Sequence, residues 1–219
     1  KYAFYGCAKL ESFDLKNITE VGENAFIGCN NLKEMDLKNL EYDTNVDHSG
    51  LETIRISTTS TIYIKSVNVK HVIFGSNIST FKSAFFQQYD YTKTNQIESV
   101  TFENPDGVDI PDYAFGNQSE SYRLYGNLKT VTGKINSIGD YAFAMMGENS
   151  GNLTTIDLSS TTRIGIYAFH NQALREINLE KVNKYNAIER PETSYGGIKM
   201  RKINLQFIIN GIKIIYFLY

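Results

Sequence analysis

Apolar and polar residues alternate in short bursts along this chain, and the bursts share one frame: an apolar residue, two variable positions, an apolar residue, one variable position and a third apolar residue. Leu10-x-x-Phe13-x-Leu15 is followed by Leu32-x-x-Met35-x-Leu37, Leu51-x-x-Ile54-x-Ile56, Val69-x-x-Val72-x-Phe74 and Ile97-x-x-Val100-x-Phe102. Leu128-x-x-Val131, Leu153-x-x-Ile156-x-Leu158 and Leu174-x-x-Ile177-x-Leu179 continue it, and Met200-x-x-Ile203-x-Leu205 would extend it again. In Lys33-Glu34-Met35-Asp36-Leu37 the period of two sends Met35 and Leu37 inward and Glu34 and Asp36 outward, the pattern of a half-buried strand. Segments this short cannot bury an apolar face alone, so the frame predicts stacked rungs with a shared core.

A second signal keeps pace with the first. The pair Ala-Phe occurs at Ala3, Ala25, Ala84, Ala114, Ala142 and Ala168, with steps of 22, 59, 30, 28 and 26 residues between alanines. It often follows Ile-Gly or Val-Gly, as at Ala25, Ala142 and Ala168, which ends a second short apolar segment. The rung from Leu51 lacks the pair and reads as a shortened unit that helps fill the long step. We expect a strand, a second short strand ending at Val21-Gly22 or Ile138-Gly139, and a helical turn at segments such as Glu23-Asn24-Ala25-Phe26. Ala would suit the tight packing of that turn, and Phe would fill the core between rungs.

Longer connections at 41–49, 87–96, 118–126 and 186–197 fall between rungs and read as insertions. The solenoid is expected over 1–197 as one elongated domain, starting inside a repeat so that its native N-terminus is missing. Residues 198–219 are expected to add a last strand and a capping hairpin to that domain, because Asn210-Gly211 between two apolar runs is a strong hairpin signal.

Val21-Gly22-Glu23-Asn24-Ala25-Phe26-Ile27-Gly28-Cys29-Asn30-Asn31-Leu32 resembles the BspA-like leucine-rich repeat family, as do Ile138-Gly139-Asp140-Tyr141-Ala142-Phe143 and Ile164-Gly165-Ile166-Tyr167-Ala168-Phe169. The resemblance covers nearly all of 1–187. It implies a β-rich repeat solenoid, a right-handed leucine-rich-repeat-like stack of about eight to nine rungs with short strands and helical turns. It also implies a secreted or cell-surface setting in host-associated bacteria or some protists, and adhesion to host proteins or other cells. The family has no shared catalytic residues to carry over. The rung from Leu51, the loss of Cys in later rungs and the C-terminal tail depart from its pattern.

Charge narrows the function little: 22 basic residues face 24 acidic ones, for a formal net charge of -2. Nucleic-acid binding normally needs clustered basic residues, whereas Lys and Arg are scattered here among Asp and Glu. The apolar tail 203–219 is shorter than a membrane span and is interrupted by Gln206, Asn210 and Lys213.

Candidate sites follow from the rung frame. The outward strand positions form the largest regular surface, and Thr53, Arg55, His71, Ser99, Thr101, Thr130, Thr132, Thr155 and Asp157 are the candidate ligand-binding face; strand propensity is the competing explanation for its threonines. Tyr113, Tyr141 and Tyr167 each precede Ala of an Ala-Phe pair and should form an aromatic column, either exposed to a ligand or packed on the neighbouring rung. Cys7 and Cys29 share one column with Gln88, Gln118, Met146 and Gln172. The two cysteines are near enough for a disulfide to be conceivable but read more simply as small buried thiols, and the glutamines read as hydrogen-bonding to turn backbone.

Several weaker motifs fail at specific positions. Asp43-x-Asn45-x-Asp47 begins like a calcium loop, yet the sixth position is His48 and the twelfth Ile54, so a solvated insertion is the better reading. Asp47-His48-Ser49 has the residue types of a hydrolytic triad but not a spacing that allows a relay. His71 and His170 fall on different faces of the stack. Asn17, Asn77, Asn117 and Asn152 open Asn-x-Ser/Thr triplets that would accept glycans only in a secretory host. No metal, cofactor or catalytic set is expected. The expected function is a non-enzymatic module for a protein or glycan ligand; the alternative is a structural spacer or self-assembling stalk, with homo-oligomers formed through the solenoid ends.

Overall fold

The computed structural model describes residues 1–15, 17–22, 24–37, 50–57, 68–81, 96–116, 127–145, 151–170 and 172–174, together with the backbone of four strands at 176–178, 184–185, 202–209 and 212–216. The expected insertions at 41–49 and 118–126, nearly all of 87–96, and 186–197 lie outside the described residues. So do the Ala84-Phe85 pair and the partial calcium motif at Asp43, Asn45, Asp47 and His48.

The rung frame becomes a parallel sheet. β1 (Glu34–Asp36), β2 (Thr53–Ile56), β3 (His71–Phe74) and β4 (Ser99–Phe102) pair side by side. β5 (Val108–Ile110) belongs to a second sheet, and β6 (Thr130–Thr132) adds the next strand of the first. β7 (Ile135–Ile138) joins β5, and β8 (Thr155–Ile156) completes the six-stranded first sheet. Its register aligns Met35, Ile54, Val72, Val100, Val131 and Ile156 in a single column. All but Ile156 are buried, and Leu37, Ile56, Phe74 and Phe102 make a second buried column beside them. Alternation thus becomes two apolar columns on the core side and two polar columns outside, because the side-chain period of a strand is two.

The second short segment of each unit forms its own parallel sheet, β5-β7-β9-β11, where β9 is Arg163–Ile164 and β11 is Lys184–Tyr185. β7 and β9 end at the Ile of Ile-Gly, as the sequence suggests. Val21-Gly22, by contrast, carries no strand. β10 (Glu176–Asn178) pairs in parallel with β12 (Lys202–Ile209), aligning Ile177 with Ile203, so the Met200 frame is in register with the Leu174 frame. β12 then pairs antiparallel with β13 (Ile212–Tyr216), Ile209 facing Ile212 across the Asn210-Gly211 step in the sequence.

No helix occurs among the described residues. The expected helical turns are instead tight turns closed by bonds such as Ala144 N–H to Tyr141 O (3.1 Å) and His170 N–H to Tyr167 O (3.0 Å). The cause is one residue. Tyr2, Asn24, Tyr113, Tyr141 and Tyr167, each immediately before Ala of an Ala-Phe pair, have φ of 58°, 59°, 56°, 53° and 51°. A left-handed residue stops a right-handed helix from propagating. Its N–H turns to the adjacent rung instead: Tyr113 N–H donates to Asp140 O (2.9 Å) and Tyr141 N–H to Ile166 O (2.7 Å). Phe115 N–H to Ala142 O (2.7 Å) and Phe143 N–H to Ala168 O (2.8 Å) repeat the pattern, so rungs are joined by backbone bonds on the turn side as well as in the sheets.

The Ile-Gly glycine is explained by space. A Cβ on Gly139 would collide with Asp112 N and Oδ1, and one on Gly165 would collide with Asp140 N and Oδ1. Those same aspartates brace the stack, since Asp112 Oδ1 accepts Asp140 N–H (2.7 Å) and Asp140 Oδ1 accepts Ile166 N–H (2.8 Å). Inside, phenylalanines of described neighbouring Ala-Phe pairs stack: Phe4 on Phe26 at 5.3 Å, Phe115 on Phe143 at 5.2 Å and Phe143 on Phe169 at 5.4 Å between ring centroids. Burying each such ring contributes on the order of 1.5–3 kcal/mol. Ala25, Ala114, Ala142 and Ala168 are buried beside them.

Candidate functional site

The outer surface of the six-stranded sheet is set by register. One column runs Glu34, Thr53, His71, Ser99, Thr130, Thr155, and the next runs Asp36, Arg55, Ile73, Thr101, Thr132. Asp157 follows β8 and is exposed. The sheet therefore brings together the nine residues of the candidate face, but their environments differ. Arg55 is engaged in an ion pair with Glu103, reaching diagonally past Ile73. His71 Nδ1 is 2.8 Å from Ser99 Oγ, and the hydroxyls of Thr101 and Thr132 are 3.0 Å apart. Asp157 accepts Ser159 N–H at 2.9 Å, and that bond holds its carboxyl below the usual carboxylate range.

Five of these side chains, Ser99, Thr101, Thr130, Thr132 and Thr155, make a contiguous hydroxyl patch over β4, β6 and β8. Each hydroxyl can both donate and accept a hydrogen bond, so the patch suits polar groups of either kind.

A third outer column, just before each strand, is charged, and motif reading alone misses it. It contains Lys33, Glu52, Lys70, Glu98 and Lys129, brought side by side by the same register. Lys33 Nζ is 3.2 Å from Glu52 Oε1, Lys70 Nζ is 4.0 Å from Glu52 Oε2, and Lys129 Nζ is 3.0 Å from Glu98 Oε2. The hydrogen bond from Lys33, with the fields of Lys33 and Lys70, lowers the Glu52 pKa; the bond from Lys129 does most to lower that of Glu98. The signal is present in the sequence, but only when the same position is compared down successive rungs. The column leaves the hydroxyl patch bordered by charges that neutralise one another.

The tyrosine column also forms. Tyr113 and Tyr141 stack at 5.0 Å with planes 1° apart, Tyr141 and Tyr167 lie 5.4 Å apart, and His170 meets the edge of Tyr167 at 5.5 Å. The rings are half-buried on one another, which removes most of their faces from a ligand. Burial lowers the His170 pKa. His170 is on the turn side and His71 on the sheet.

In the cysteine column, both thiols are free. Cys29 is buried, its thiol donating to Phe4 O (3.1 Å) and its pKa raised mainly by burial; Cys7, on the first turn, is exposed rather than buried. Nothing packs over that turn among the described residues, which leaves Tyr2 and Tyr5 55% and 60% exposed. Gln172 in the same column is buried and bonds to turn backbone: its Oε1 accepts Leu153 N–H (3.1 Å) and its Nε2 donates to Phe143 O. Gln88, Gln118 and Met146 lie outside the described residues. Asn17, Asn77 and Asn152 are exposed, although Asn77 Nδ2 is already donated to Ser57 O (2.8 Å), and Asn117 lies outside the described residues.

Among the described residues no group of three His, Cys, Asp or Glu side chains could hold a metal ion, and no helix is long and apolar enough to cross a membrane. The parallel sheets, recurrent left-handed turn and stacked Ala-Phe pairs define an open repeat solenoid.

The family profile of the BspA type leucine-rich repeat region matches the chain in 6 copies, over residues 1–91, 50–175 and 88–213. The chain belongs to that family. No curated protein and no solved structure matches it. The family is commonly a surface protein-binding module and typically non-enzymatic.

Proposed function

We propose that this chain is a non-enzymatic binding module, displayed on a cell surface or secreted, which adheres to a host protein or glycan through the outer face of its six-stranded sheet. The observation that carries this reading is the hydroxyl patch of Ser99, Thr101, Thr130, Thr132 and Thr155. It crosses three rungs and has no fixed charge of its own, and the glutamates of the charged column beside it are paired with lysines. Thr53, Arg55, His71 and Asp157 border it. A ligand laid across the strands would meet a rigid backbone with pre-set hydroxyl spacing, which limits the ordering cost of binding. The tyrosine column serves cohesion between rungs in this account.

The alternative reading is a spacer or self-assembling stalk. The β12–β13 hairpin is the proposed cap of the solenoid.

The test is a screen of the intact chain against purified matrix proteins and neutral and acidic oligosaccharides, run beside the variant T130K/T132K/T155K. The module reading expects a hit that the folded variant loses by at least about tenfold, equivalent to about 1.4 kcal/mol. Failure across both panels, with self-association of the wild-type chain, would favour the stalk.

A further inference from the structure

The parallel ladder joins the neighbouring strands β1, β2, β3, β4, β6 and β8 in the same way, and the buried columns are near-duplicates: Met35, Ile54, Val72, Val100 and Val131 are interchangeable as medium-sized apolar side chains. Neither feature tells a rung which neighbour is correct. A stack of similar units joined by connections as long as the 24 residues from Gly75 to Glu98 has an obvious competing state, in which one rung is looped out and the flanking two pair directly.

The charged column distinguishes the two states. Lys33, Glu52, Lys70, Glu98 and Lys129 alternate in sign along five consecutive strands, and the frame Leu10-Glu11-Ser12-Phe13 assigns Glu11 to the equivalent position of the rung before. With correct neighbours, opposite charges meet, as in Lys33–Glu52 at 3.2 Å and Glu98–Lys129 at 3.0 Å. Omission of the Glu52, Lys70 or Glu98 rung brings like charges together: Lys33 beside Lys70, Glu52 beside Glu98, or Lys70 beside Lys129. We infer that this alternating column is a rung-order device, selecting the native stacking against rung-skipped alternatives.

Each exposed pair adds little to stability by itself. Its use is in the difference, because a skipped rung exchanges attraction for repulsion, as charge patterns do in other repetitive assemblies. The device operates independently of what the outer face binds. The loops between rungs can then vary in length without losing the order of the stack.

Two variants of unchanged composition and formal charge test this. In E52K/K129E the column from Glu11 onward reads negative, positive, positive, positive, negative, negative, with like charges on three of its five junctions. The sixfold reversal E11K/K33E/E52K/K70E/E98K/K129E keeps every junction opposite. At low ionic strength the first should melt a few degrees below wild type and give a larger misfolded or aggregated fraction on refolding from urea, while the second matches wild type in both. In about 1 M salt, where the screening length is roughly 3 Å, the difference should largely vanish. Wild-type refolding yield and melting in E52K/K129E, equal damage in both variants, or a defect that persists unchanged in high salt would each overturn the inference.

Discussion

Gln172 offers the sharpest test of how adjacent rungs are held at the end of the cysteine column. Its amide is buried and bridges two backbone groups from earlier in the chain, taking Leu153 N–H on Oε1 and giving Nε2–H to Phe143 O. Gly151 leaves the room for it, since a Cβ there would collide with Gln172 Oε1. Gln172→Leu keeps the approximate volume but removes both bonds, leaving one donor and one acceptor without partners. At about 1–3 kcal/mol for each orphaned group, partly offset by the more apolar side chain, the loss should be about 2–4 kcal/mol. For a chain of this size that corresponds to roughly 2–4 °C of melting temperature per kcal/mol. Urea unfolding followed by circular dichroism measures it. Gln172→Glu sharpens the test, because an ionised carboxylate still accepts from Leu153 but offers Phe143 O no proton. Burial then raises the folded-state pKa of the introduced carboxyl above its unfolded value. The deficit is therefore full above that folded pKa and shrinks as pH falls through it and the acid O–H replaces the amide donor. A Gln172→Leu chain within about 0.5 kcal/mol of wild type, well below the cost of one orphaned group, or a Gln172→Glu deficit independent of pH, would refute the bridging role.

Three further outcomes follow from the same packing. Gly165→Ala should cost about 1–3 kcal/mol in chemical denaturation, because its Cβ would collide with Asp140 N and Oδ1; an unchanged midpoint would show that the rungs can part freely. At Tyr141, with φ of 53°, Asn loses the ring contacts, about 0.5–1.5 kcal/mol per aromatic pair, but suits the left-handed region, whereas Val should cost about a further 1 kcal/mol as a β-branched residue there; equal stabilities of Y141N and Y141V would contradict the backbone assignment. Glu52, Glu98 and Asp157 all have lowered pKa values, so their contribution is present above the unfolded carboxylate pKa and is lost as pH falls through the lower folded values. Thermal melts from neutral pH to strong acid should decline there, and added salt at neutral pH should reduce the contribution of the two lysine-paired glutamates.

Much of the fold can be read from residue order because its determinants are local. Two-residue alternation in Thr53-Ile54-Arg55-Ile56 decides which side chains enter the core, and the recurrence of Ala-Phe marks the turns. The turn conformation is harder to read. Nothing about Tyr113 or Tyr141 in isolation announces a positive φ, since tyrosine seldom adopts one; Asn24 at the same position is the one hint, because asparagine tolerates that region better. The role of the Ile-Gly glycine depends on contact with the rung before it, which no single repeat reveals. The charged column is hidden for the same reason: Lys33 or Glu52 alone reads as a solvated residue, and alternation emerges only when rungs are aligned. Cys7 and Cys29 show that one column position can be exposed at one turn and buried at the next, where the Cys29 thiol reaches Phe4 O.

Binding through the outer sheet face is tested most directly by hydrogen-exchange footprinting of the wild-type chain with whichever matrix protein or oligosaccharide it retains in the screen. The account predicts added protection over β4, β6 and β8, at Ser99–Phe102, Thr130–Thr132 and Thr155–Ile156, with the Tyr113, Tyr141 and Tyr167 turns unchanged. Protection centred on those turns, with the three strands unaffected, would contradict it.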